Sequence, residues 1–100
     1  MYYMKTTIEL LLALNDINPD TLTITEGKNF EGGSSTRISN DRWSIVVNNF
    51  EPNTYGVVRI TTIGIKDNTT DMWTGYDYLG KTDTGDYLGE LLKLFNQYFK

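Results

Sequence analysis

Residues 42–66 read RWSIVVNNF, EPNT, YGVVRITTIGIK, the longest run of β-branched and aromatic residues in the chain. Such side chains suit a pleated, half-buried surface, and the proline–asparagine pair near the middle supplies a turn. The run therefore predicts a β-hairpin. With Pro52 and Asn53 at the tip, Glu51 faces Thr54, Phe50 faces Tyr55, Val47 faces Val58, Ile45 faces Ile60 and Trp43 faces Thr62. Alternation then gathers Trp43, Ile45, Val47, Val58 and Ile60 on a core face. Ser44, Val46, Asn48, Phe50, Tyr55, Val57 and Arg59 fall on a mixed one. Ile63 and Ile65 are out of phase with this register, and a bulge near Thr61–Thr62 returns them to the core.

Upstream of the hairpin, Asn40-Asp41 reads as a turn and Thr36 to Asn40 as a short strand. Residues 26–36 form a glycine-rich connection. Before it, Thr21-Leu22-Thr23-Ile24-Thr25 alternates strictly, which predicts a strand with Leu22 and Ile24 inward. Thr6-Thr7-Ile8-Glu9 has the spacing of a capping box, so a helix is expected over residues 6–16. Its core stripe is Ile8, Leu11 and Leu12, widened by Leu10, Ala13 and Leu14, and Asn18-Pro19 stops it.

Downstream, Lys66-Asp67-Asn68-Thr69-Thr70-Asp71 reads as a turn and Met72 to Leu79 as a last strand. Thr82 to Asp86 caps a final helix over residues 86–99. Its wide apolar stripe comprises Tyr87, Leu88, Leu91, Leu92, Leu94, Phe95, Tyr98 and Phe99. These elements predict one α+β domain: a four- to five-stranded antiparallel sheet with an N-terminal and a C-terminal helix packed on one face.

Composition narrows the function. The 100 residues include no cysteine and no histidine, which removes thiolate chemistry, zinc–thiolate sites and the commonest general base near neutral pH. The turn at Asp67–Asp71 lacks the glycine and distal glutamate of a calcium loop, and Asp83 with Asp86 serves as a helix cap. No enzyme activity, metal or cofactor is expected. The net charge of −4 argues against direct binding to nucleic acid through its phosphates. The apolar run IELLLAL is too short for a membrane span, and Glu9 and Asp16 disagree with a secretory signal. A cytoplasmic protein is expected.

Charge is distributed unevenly. Residues 67–90 hold Asp67, Asp71, Asp77, Asp83, Asp86 and Glu90 against Lys81 alone, interleaved with Trp73, Tyr76, Tyr78 and Tyr87. Aromatics anchor interfaces, and an acidic field steers toward basic partners. Asp71, Trp73, Tyr76, Asp77, Tyr78, Asp83 and Asp86 are accordingly the expected partner-binding residues. The expected partner is a basic protein, one belonging to a nucleic-acid-handling complex, with the chain itself a monomer or homodimer. In size and charge the chain is similar to small phage- or mobile-element-encoded antagonists, such as anti-CRISPR proteins that occupy basic nucleic-acid channels. The likeness rests on size and charge, with no residue motif behind it. Two alternatives have their own residues: an assembly subunit that oligomerises through the C-terminal helix, and a small-anion binder using Lys28, Gly32-Gly33 and Arg37.

Overall fold

The computed structural model describes residues 4–28, 33–50, 60–81 and 86–100; at positions 4, 50, 60, 75–81 and 86 it describes backbone alone. The chain runs α1 (Met4–Leu14), a single 3-10 turn (Pro19–Thr21), β1 (Thr23–Lys28), β2 (Ser34–Ser39), β3 (Trp43–Phe50), β4 (Ile60–Asp67), β5 (Met72–Lys81) and α2 (Asp86–Tyr98). The five strands form one antiparallel meander in sequence order. Both helices pack on the same side of it, the predicted α+β arrangement.

The central ribbon pairs in a different register from the expected one. Ile45 stands opposite Ile65 rather than Ile60, and Val47 opposite Ile63 rather than Val58, a slip of five residues. An odd slip moves every side chain of one strand to the other face. Ile63 and Ile65 thereby join Ile45 and Val47 in the core without any bulge, and pairing is regular through Thr61 and Thr62. Ile60, opposite Phe50, leaves the core row. The isoleucine pattern accounts for the difference: regular pairing in this register buries Ile63 and Ile65 beside Ile45 and Val47, where the expected register needed a bulge to do so. Pro52, Asn53 and the expected pairs at the tip lie outside the described residues.

The core is a layer between sheet and helices. Ile38, Ile45, Val47, Ile63 and Ile65 from the sheet meet Ile8 and Leu12 from α1, then Tyr87, Leu91, Leu94 and Phe95 from α2. Helix α1 begins at Met4, ahead of the expected capping box. Thr6 and Glu9 are interior helical residues, and Glu26 of β1 accepts the backbone N–H of Lys5 in their stead. A carboxylate from a neighbouring strand thus does the work of a local cap. At the other end Asp16 takes φ 59°, while the Ile17 N–H reaches Leu12 O at 2.9 Å and the Asp16 N–H reaches Ala13 O at 3.2 Å. That 6→1, 5→2 pair is a Schellman stop, with Ile17 folding back into the core beside Leu12. The helix ends at Leu14 before Pro19 can act.

The expected width of the α1 stripe is corrected as well. Leu10 lies two residues from both Ile8 and Leu12, about 200° around the helix, and Leu14 is likewise two from Leu12. Both point away from the core, 60% and 72% exposed, and Ala13 is exposed with them.

Candidate protein-docking surface

Two turns meet at one end of the sheet. In the β2–β3 turn, Asn40 Oδ1 accepts the backbone N–H groups of Arg42 and Trp43 at 2.9 and 2.7 Å. In the β4–β5 turn, Asp67 Oδ1 accepts the Thr69 N–H at 2.9 Å and the Thr69 hydroxyl at 2.7 Å. Asn68 ties the two together. Its N–H donates to Arg42 O at 2.7 Å, its Nδ2 to Asn40 O at 3.1 Å, and its Oδ1 accepts the Ser44 hydroxyl at 2.8 Å. The Arg42 guanidinium lies 3.5 Å from the Asp67 carboxylate and 4.8 Å from the centre of the Trp43 ring, which meets Tyr98 edge-on at 4.9 Å. This end is held from both helix and sheet.

Strand β5 leaves the turn at Asp71, whose φ of 59° suits a short polar side chain. Met72 and Trp73 follow, 66% and 56% exposed. Trp73 stands opposite Lys66, and its ring lies along the strand over Gly64: a methyl group built there would sit 2.9 Å from a ring carbon. The glycine is what lets the indole lie flat, on the side of the sheet opposite the helices. Beyond it the pairing shifts. Lys66 faces Trp73 but Gly64 faces Asp77, so Ile65 alone confronts three β5 residues. Such a bulge interrupts an edge strand that would otherwise template sheet extension.

The electrostatics of this end are compensated. Lys66 Nζ lies 2.6 Å from Asp71, whose side chain is 84% exposed. The hydrogen bond from Lys66 lowers the Asp71 pKa below the ordinary carboxylate value, with the Lys66 charge and then that of Arg37 adding to it. Asp67 is also lowered, chiefly by the Thr69 hydroxyl and amide, with Arg42 contributing. Glu90 has Lys93 at 3.4 Å. Exposed pairs of this kind contribute little to stability, so an incoming cation can compete for them.

The structure brings Asp71 and Trp73 together on this surface. Asp77 stands opposite Gly64, Tyr78 opposite Ile63 in a row whose described members are buried, and Tyr76 within the bulge; the side chains of all three lie outside the description. Asp86 opens α2, described in backbone only, and Asp83 lies outside the described residues. Sequence reasoning missed Met72, Arg42 and Gly64 as parts of the surface. Gly64, a lone glycine within ITTIGIK, was the available signal of close approach.

The alternatives fare differently. Lys28 stands opposite Ser34, whereas Arg37 stands opposite Thr25 and Val46. Strand alternation puts the two on opposite faces of the sheet, so they do not converge on one anion; Gly32 lies outside the described residues. Of the α2 stripe, Tyr87, Leu91, Leu94 and Phe95 lie in the core, at most 3% exposed, while Leu88, Leu92, Tyr98 and Phe99 are half-buried. Among the described residues no three carboxylates converge as a metal site, and no helix is long and apolar enough to cross a membrane. Comparison with protein families, curated proteins and solved structures finds no match for this chain.

Proposed function

We propose that the chain is a small non-enzymatic binding protein that docks the β4–β5 end of its sheet on a basic partner. The observation that carries this reading is Trp73: an indole more than half exposed, adjacent to an exposed Met72, and seated on Gly64. Tryptophan, methionine and arginine are enriched at interface centres, and a side chain already fixed loses little entropy on binding. The net charge of −4 and the accessible Asp71 carboxylate favour a cationic counterpart. Size and charge suit a stoichiometric antagonist acting in the cytoplasm on a nucleic-acid-handling protein, as phage-encoded inhibitors of the anti-CRISPR kind do.

The test is capture from a lysate of the source cell by tagged protein, beside a Trp73→Ala variant checked for folding. The parent is expected to retain a basic, nucleic-acid-handling protein that the variant loses, since truncating a hot-spot tryptophan costs about 2 kcal/mol or more of binding. Equal retention of that protein by both chains rejects the reading.

A further inference from the structure

The two edges of the sheet are finished differently. Strand β5 carries the bulge opposite Ile65. Strand β1 pairs with β2 in unbroken register from Thr23 to Lys28 and, among the described residues, with nothing on its other side. Thr23, Thr25, Glu26, Gly27 and Lys28 are exposed. A regular strand that offers one row of N–H and C=O groups is a template for a further strand. This edge has no part in the docking surface above, which lies at the β5 side of the sheet.

A cavity beside that edge indicates what the further strand carries. Leu22, already extended just ahead of β1, shares the helix side of the strand with Ile24 and with Glu26, which accepts the Lys5 N–H. Between this row and α1 opens a cavity of about 240 Å³, lined by Lys5, Glu9, Pro19, Asp20, Leu22 and Ile24. Leu22 and Ile24 give it apolar walls. Glu9 and Asp20 give it two carboxylates that have no ion pair among the described residues, and Lys5 offsets only one of them. A residue of an incoming strand opposite Leu22 or Ile24 points its side chain to the helix side, into this cavity. A long side chain with an apolar stem and a cationic head suits it: the stem lies on Leu22 and Ile24, and the head meets Glu9 and Asp20.

We infer that the outer edge of β1 accepts an extended segment of a partner protein as a sixth strand, with one lysine or arginine of that segment seated between Glu9 and Asp20. The net charge of −4 favours a basic segment. A second copy of this chain suits the edge less well. Helix α1 packs against β1, so two copies joined edge to edge about a two-fold axis crowd their α1 helices over the seam, whereas a lone strand brings no helix. Pairing along the six residues of β1 buries far less than the roughly 800 Å² per partner of a stable interface, so the strand by itself binds weakly.

The probe is a blocked peptide of about eight residues, alternating threonine and valine with one valine replaced by lysine, titrated to about 1 mM into the isotope-labelled full chain. Backbone amide shifts are expected along residues 22–28 and at Glu9. The same peptide with glutamate in place of lysine is expected to bind about tenfold more weakly. Glu9→Gln with Asp20→Asn, checked by circular dichroism, is expected to remove most of that preference. Trp73→Ala is expected to leave peptide binding unchanged, which separates this edge from the β4–β5 surface. An absence of shifts along β1 at the top concentration overturns the inference. So does equal binding of the two peptides, or a preference that survives Glu9→Gln with Asp20→Asn. Amides of β1 that gain protection from exchange as the protein alone is concentrated would give the edge to a second copy and overturn it too.

Discussion

An indole resting on glycine has its underside in contact with backbone and much of its remainder in water, and Trp73 holds that position because Gly64 has no Cβ. Replacing Gly64 with alanine puts a methyl group 2.9 Å from a ring carbon and displaces the ring from its seat. Gly64→Ala is therefore expected to change stability by less than about 1 kcal/mol, since alanine suits a strand at least as well and no core contact is lost. It is expected to weaken partner binding nearly as much as Trp73→Ala. Chemical denaturation and a binding titration on the same sample check both halves; a destabilised Gly64→Ala that still binds fully contradicts the role given to the glycine. This pair also shows where residue-level reading stopped. An exposed Trp73 was legible from an aromatic in an acidic stretch, but its support was not, because the register between β4 and β5 shifts at that point. In the sequence Asp71 counts toward an acidic field with Lys81 as the only base in residues 67–90. Its ion pair with Lys66 follows from the turn that brings the two strands together, which spacing alone does not reveal.

At the scale of elements, the antiparallel sheet and both helices were legible, while boundaries and registers followed tertiary demands. The ribbon gave up a turn-centred register for one that buries Ile63 and Ile65. Helix α1 starts early because Glu26, distant in sequence, caps it. Glu26→Ala is thus expected to cost about 0.5–2 kcal/mol, the usual worth of a cap, and to lower the thermal midpoint measurably. In α2, Phe95→Ala is expected to cost about 3–5 kcal/mol, because the ring is fully buried and its removal leaves a cavity in the core. Leu94→Glu, which would dissect a helix-mediated oligomer if the stripe were exposed, places a carboxylate in the core instead and is expected to unfold the chain. The β4–β5 turn confers acid sensitivity. A carboxylate whose pKa is lower in the folded state stabilises the fold above its unfolded value, and that contribution disappears as pH falls toward the folded one. Asp67 and Asp71 are both lowered, so the thermal midpoint is expected to drop as pH is taken from about 5 to about 3. Asp67→Asn keeps an oxygen for the Thr69 donors but cannot ionise, and is expected to show a smaller drop over that interval.

At the scale of the whole molecule, the fold is asymmetric. Two helices cover one face of the sheet, and among the described residues no helix lies over the face bearing Trp73, Lys66, Gly64 and Arg37. That face, with the exposed Trp73 and Asp71, is the one we propose for contact with a partner. The most direct test of that claim uses isotope-labelled protein and the captured partner, following backbone amide shifts as the complex forms. The account predicts the largest shifts at Gly64, Lys66 and Asp71 through Trp73, reduced as salt is raised because the partner's charge contributes to docking. Shifts centred on α1 or α2 with the β4–β5 end undisturbed would contradict it.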